Sequence, residues 1–419
     1  MARHRRAARL RLRVPRRPPD RCRRPALPAR GRRAELWAKA EKEEEALLKR
    51  AKAYDDPLLE EYLAKLGDRL LPENVRAAGG PGFKYGVMRD PTLNAFAMPN
   101  GRIYVHTGLL ARVENEAQLA TILGHEQAHV TGRHALKFTR DAQNKQILYT
   151  VLAVGASIGI AVAAGSRSKS GDPIGAAVLS QTANAVLGLG LQLAALAAIN
   201  GYGRDLEREA DAEGMARLVN AGYDPREAPK VFKLLQGESK DRGSLETFFF
   251  GSHPRLQERI DTTTTLLSTT YAAAALAPDA IRDTEEFSLR TRTVVRENAL
   301  LDLQAGRFAL AQRQLDRVLA ITPRDPIAHL YYGDLYRRQA QRARTAVEKD
   351  ELARKALASY ERCAELDPAL PDPYRQLGLL YYQQKDTEKA RAAFRKYLAL
   401  KPDASDARRI KEYLVELDR

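Results

Sequence analysis

Apolar positions along the chain follow three successive rhythms, and each predicts a different kind of element. Residues 34–54 are charged and helical in pattern, with the acidic run 41–45 expected on a solvated face. After Asp56-Pro57, Leu59, Leu63, Leu66 and Leu70 recur at the spacing of one helix face, and proline is tolerated in a first helical turn. Past Gly79-Gly80-Pro81-Gly82 the rhythm shortens to alternation. The stretches 83–88, 94–98 and 102–106 therefore read as short strands, with Asn100-Gly101 at a hairpin-type position. A small antiparallel sheet is expected there. The helical period then returns, with Asn115 as a suitable N-cap and Leu119, Ile122 and Leu123 on the way to Phe138. Two Ala- and Gly-rich apolar segments follow at 147–165 and 174–199, divided by a polar stretch. The first approaches the length of a membrane span, but strong flanking anchors are missing. Residues 147–199 are expected as a buried or membrane-apposed helical hairpin.

From about residue 293 a longer period takes over. Tyr374, Leu377, Gly378, Tyr381, Ala390, Phe394 and Pro402 match the tetratricopeptide pattern of small and large residues on two antiparallel helices. An earlier copy runs through Tyr332-Gly333, Tyr336, Ala356, Tyr360 and Pro368, lengthened near 339–351, and a half-copy through Ala311, Leu315 and Pro323 precedes it. Residues 406–417 read as the terminal capping helix. Such a stack is expected to form a concave surface that docks peptides or a protein partner. The expected organisation is a tail at 1–33, a domain at 34–270, a linker at 271–292 and repeats at 293–419.

Composition changes this picture in one place. A length of 419 residues allows two or three domains, and 44% hydrophobic residues excludes global disorder. The net charge of +16 suggests nucleic acid until it is located. Residues 1–33 hold fourteen Arg against one Asp, a local charge near +13, and everything after them sums to only about +3. This Arg/Pro-rich tail cannot bury a core and is expected to be disordered. It could bind anionic lipid or RNA or be an incidental leader, and nucleic acid is not an expected partner of the rest. No continuous apolar stretch appears before Trp37, so no secretory signal is visible. Two cysteines, Cys22 and Cys363, make a structural disulfide improbable.

The chemistry concentrates in the helix after Asn115, at His125-Glu126-Gln127-Ala128-His129. Histidines at i and i+4 share a helix face and can present two nitrogens to one tetrahedral Zn²⁺. Zinc lowers the pKa of a bound water to about 7, and a neighbouring carboxylate, Glu126, can take that water's proton as it attacks a carbonyl. Chance can also place two histidines and a glutamate on a polar face. Glu207 and Asp211 supply the company that chance does not. They share one face of a helix spanning 204–220, so Glu207 can complete a His₂Glu site of the open, catalytic type. Asp211 can hold a ligating imidazole by its other N–H. Glu209 points about 180° away from them, toward solvent or a salt-bridge partner. That helix should end at Ala221-Gly222, ahead of Asp224-Pro225. His134 lies nine residues after His125, and at about 100° per residue a continuous helix puts it on the opposite side. It is not expected to be a ligand. His253, in Gly251-Ser252-His253-Pro254 and followed by Arg259, could fold back to stabilise an oxyanion or cap the zinc.

With these residues in view, 58–260 resembles the HtpX and CAAX prenyl protease superfamily of gluzincin zinc metallopeptidases. With its repeats the whole is similar to the BepA-type periplasmic proteases. The matching motifs are Asn94-Ala95-Phe96-Ala97 with Pro99 and Gly101, Thr107-Gly108-Leu109-Leu110, His125 to His129, Glu207-x-Glu209-Ala210-Asp211, Ala221-Gly222-Tyr223-Asp224-Pro225, and Ser252-His253-Pro254 to Arg259. The resemblance implies a mainly α fold, with a zincin-type metalloprotease domain carrying a small antiparallel β-sheet and then an α-solenoid of tetratricopeptide repeats. It implies one Zn²⁺ per chain held by His125, His129 and Glu207, with Glu126 as catalytic acid/base and Asp211 in support. His253 and Arg259 belong to the active site, His253 holding it latent. Asn94, Ala95, Phe96 and Ala97 form an edge strand that a polypeptide substrate joins. The implied location is the periplasm or the membrane-associated envelope, with misfolded or stalled envelope proteins as substrates. Membrane helices and an export signal, which members of these groups carry, are not visible in this N-terminal region. A repeat-based assembly chaperone or adaptor with a dormant metal site is the alternative.

Overall fold

The computed structural model describes residues 41, 44–45, 52–77, 82–137, 203–240 and 256–418. Helix α1 (Pro57–Leu70) starts where Asp56 accepts a hydrogen bond from Leu59 N at 3.1 Å, and it buries Leu59, Leu63, Leu66 and Leu70 as its period predicts. A short α2 (Glu73–Ala77) leads to β1 (Lys84–Met88), β2 (Ala95–Ala97) and β3 (Arg102–His106). Gly101, at a φ of 91°, makes the turn that pairs β2 with β3 antiparallel.

The sheet differs from the expected antiparallel one. Its order is β1-β3-β2, and β1 lies parallel to β3, with Tyr85 opposite Ile103. Alternation fixes which face each residue takes, whereas strand order depends on where the 89–94 connection carries the chain. Here β3 inserts between its two predecessors and leaves β2 at an edge. Glu44, expected on a solvated face, instead accepts hydrogen bonds from Tyr104 Oη at 2.6 Å and Arg102 Nε at 3.3 Å.

Helix α3 (Thr107–Arg112) leads to α4 (Glu116–Thr131), whose residues 116–129 are all buried. A helix covered on every side is the centre of its domain rather than a surface layer. The Asn115 side chain caps it, accepting from Gln118 N at 3.0 Å. Around it pack α1, the sheet, α5 (Arg204–Asn220), α6 (Glu227–Lys240) and α7 (Leu256–Ser268). Helix α5 ends as predicted, at Gly222 with a φ of 84° and Tyr223 N bonded back to Leu218 O at 3.0 Å. Residues 138–202, and with them the apolar hairpin expected at 147–199, lie outside the described residues, as does the 1–33 tail. Among the described residues no helix is long and apolar enough to cross a membrane.

The stretch 271–292, expected as a linker, holds α8 (Ala272–Ala275) and the first turns of α9 (Glu285–Gln304). Phe287 of α9 is fully buried in the same core as α4. Three helical hairpins follow the expected repeat pattern: α9 with α10 (Phe308–Ile321), α11 (Pro326–Ala340) with α12 (Ala346–Leu366), and α13 (Pro371–Gln383) with α14 (Thr387–Leu400). The terminal α15 (Ala407–Leu417) packs on the last of them. Small meets large inside each later hairpin. A β-carbon on Gly333 would fall 2.3 Å from the Tyr360 ring, and one on Gly378 2.4 Å from Phe394.

Candidate metal centre

The site is built where α4 and α5 cross. Gly124 and Gly214 face each other there, so close that a β-carbon on Gly214 would lie 3.1 Å from His125 N and one on Gly124 3.3 Å from Gly214 O. With the backbones in contact, side chains one and two turns up α5 reach the His125–His129 face. His125 Nε2 lies 2.9 Å from His129 Nε2, His125 Nε2 is 3.6 Å from Glu207 Oε2, and His129 Nε2 is 3.5 Å from Glu207 Oε1. These separations bracket the edge of about 3.4 Å that a tetrahedral ion with bonds of 2.0–2.1 Å requires. The three donors lie within 4.8 Å of one another and all three residues are buried.

The electrostatics of the cluster favour a cation. Glu126, Glu207 and Asp211 are each at most 5% exposed, and the charge set against them in the cluster is the Arg259 guanidinium. Burial works against that guanidinium's charge, but Asp211 and then Glu207 outweigh it and raise its pKa. Among the described residues three carboxylates and one guanidinium meet here, a donor set that suits a divalent ion.

Asp211 Oδ1 lies 2.9 Å from His125 Nδ1. Arg259 holds the same carboxylate through Nε at 3.1 Å to both oxygens and Nη2 at 2.7 Å, and its Nη2 lies 3.0 Å from His125 Nδ1. The guanidinium also stacks 4.1 Å above the Phe232 ring. His253 lies outside the described residues. Ala95 to Ala97 form the edge strand β2, which packs against α4 and, among the described residues, pairs only with β3. Asn94, just before it, is buried and accepts from His106 N at 2.9 Å.

Gln127, Arg217 and His134 make contacts at this site that their positions in the sequence do not predict. Gln127 ties α4 to its neighbours, donating to Gly67 O and Tyr85 Oη at 2.7 Å each and accepting from Arg217 Nη1 at 3.1 Å. Arg217 reaches it from α5, one turn beyond Gly214. His134 folds back beneath His129, their Nδ1 atoms 2.9 Å apart, because α4 stops at Gly132 and no longer carries the phase used to place it. Burial holds the His134 imidazole well below its ordinary range, to about 4.

Fold and site together bring two imidazoles of a central helix and one carboxylate of its neighbour to a single point, an arrangement that could hold a metal ion. The chain belongs to peptidase family M48, whose model matches residues 57–266, half of its length. A tetratricopeptide repeat model matches residues 341–415. The chain is similar to the putative beta-barrel assembly-enhancing protease of Vibrio cholerae serotype O1, at 29% identity over 63% of this chain and 50% of that protein. It is similar to the beta-barrel assembly-enhancing protease of Escherichia coli K12, at 28% identity over 62% of this chain and 47% of that one. The mitochondrial metalloendopeptidase OMA1 of Arabidopsis thaliana is 30% identical over 41% of this chain and 29% of its own length. The chain thus spans about half the length of the first two relatives.

Proposed function

We propose that this chain is a zinc-dependent endopeptidase with one Zn²⁺ held by His125, His129 and Glu207. The observation that carries the reading is the convergence of those three buried donors beside Glu126. Zinc, when bound, supplies Lewis-acid polarisation of a carbonyl and a water of lowered pKa. Glu126 takes the proton from the attacking water and hands it to the leaving amine, a role worth about 10² to 10⁴ in rate. Asp211 fixes the His125 tautomer by accepting its Nδ1–H, and Arg259 keeps Asp211 in place. The free edge of β2, with Asn94, Ala95, Phe96 and Ala97, aligns an extended polypeptide alongside α4 by main-chain pairing. The repeats dock the substrate or a partner protein, and 147–199 associates with a membrane surface. Misfolded or stalled envelope proteins are the proposed substrates and the periplasm or membrane-associated envelope the proposed location, a reading that fits relatives named for beta-barrel assembly. Glu126→Gln tests the mechanism: it should keep stoichiometric zinc and lose cleavage of casein. Retained cleavage would remove Glu126 from the chemistry.

A further inference from the structure

The ring of His129 is backed by a residue that a continuous helix would have carried to the far side. Gly132 ends α4 and Arg133 takes a φ of 54°, so the chain reverses and His134 re-enters beneath His129. The two rings meet edge to face with centroids 4.8 Å apart. His134 is fully buried, and its Nε2 faces Glu209 Oε2 at 3.6 Å. Glu209 is gripped in turn by Lys137, whose Nζ lies 3.0 and 2.9 Å from its two oxygens. A β-carbon at residue 132 would sit 2.5 Å from His134 Nε2, so glycine is what leaves room for this return.

With a cation on Nε2 of His129, the geometry fixes the positions of the protons. Two Nδ1 atoms 2.9 Å apart need one donor and one acceptor. His129 turns Nε2 toward His125 and Glu207, and a nitrogen that gives its lone pair to a cation carries no hydrogen, so the His129 proton is on Nδ1. His134 Nδ1 is then the acceptor, and its own hydrogen is on Nε2, toward the Glu209 carboxylate. We propose that His134 is the positioning residue for His129, a relay in which its Nδ1 fixes that ligand's tautomer and angle, as Asp211 fixes the other's, and Glu209 stands 3.6 Å behind its Nε2, beyond hydrogen-bond distance, as a counter-charge. The inference rests on the reading of His125, His129 and Glu207 as zinc ligands. Each imidazole then has its own carboxylate on α5, one in direct contact and one behind an intervening ring.

Zinc affinity of the full chain, measured by competition with a chromophoric chelator, tests this. His134→Ala removes the acceptor and should weaken binding about 10- to 100-fold, the range for losing such a partner. His134→Asn loses the same buried ring but keeps an oxygen acceptor close to the Nδ1 position, and should recover most of that affinity. Thermal stability of the two metal-free variants should fall alike, so only zinc binding separates orientation from packing. Equal zinc affinity in the two variants, whether both weakened or both unchanged, would overturn the relay. Should neither variant fold, ¹⁵N spectra of the zinc-loaded wild type decide, and a His134 proton on Nδ1 rather than Nε2 would overturn it. A wild-type chain that binds no stoichiometric zinc would overturn the ligand assignment and the relay together, whereas wild-type binding with an unaffected His134→Ala overturns the relay alone.

Discussion

Gly214→Ala adds one methyl at the crossing of α4 and α5, and the structure says what that methyl meets. Its nearest neighbours would be His125 N at 3.1 Å, His125 Cα at 3.3 Å and Gly124 C at 3.4 Å, all backbone. Comfortable contacts begin near about 3.5 Å, so the helices must part by a few tenths of an ångström. Overpacking of this kind costs about 1–3 kcal/mol. Against it stand about 0.8–1.0 kcal/mol of helix propensity gained, which already includes the stiffer unfolded chain. Net stability should therefore change little, by about 0–2 kcal/mol. The metal site has no such offset. Glu207 and Asp211 ride on α5, and the 2.9 Å contact of Asp211 with His125 opens by whatever the helices part. Zinc affinity should drop about 10- to 100-fold, the loss expected when a ligand's partner is displaced. Chelator competition reads the affinity and thermal unfolding of the metal-free chain reads the stability. Wild-type zinc affinity with unchanged or raised stability would show that the helices do not touch here.

Arg259→Ala strands the buried Asp211 carboxylate, and denaturant unfolding of the metal-free chain should lose about 3–5 kcal/mol. A loss below about 1 kcal/mol would mean that water reaches Asp211. Cys363 is fully buried in the repeat core, where burial pushes its thiol up to about 12. In a Cys22→Ser background it should resist alkylation at pH 8 for as long as the repeats stay closed and react fully once they unfold; rapid labelling of the native chain would contradict its placement.

Where local chemistry decides the outcome, the sequence was readable. Asn115 caps α4, Gly222 ends α5, and Glu207 and Asp211 share the face assigned to them, since each depends on a few neighbouring residues. What escaped depends on partners distant in sequence. Nothing in 83–106 says that β3 will divide β1 from β2. The far-side position of His134 holds only for a continuous helix, and Gly132-Arg133 breaks it, so His134 turns back toward His129. Glycines 124 and 214 read in isolation as weak points in helices, and only the facing backbone shows that they set the distance between α4 and α5.

The same reasoning explains why 271–292 could not be recognised as structural. Six of its eleven apolar residues are alanines, which mark no buried face, yet Ile281 to Thr284 cross the N-terminus of α4, with Arg282 O accepting from Ala117 N at 3.0 Å and Asp283 Oδ1 from Glu116 N at 3.2 Å. Glu116 in turn accepts from Thr284, Tyr62 and Tyr223. Farther along α9, Asp302 is fully buried and receives Arg112 of α3 and Arg307 at 2.7 Å each. Detaching α9 would break the buried Arg112–Asp302 pair, which costs about 3–5 kcal/mol. That is much of the stability of an ordinary domain. The first repeat hairpin is therefore anchored to the domain of α4, through Phe287 in its core and the Arg112–Asp302 pair.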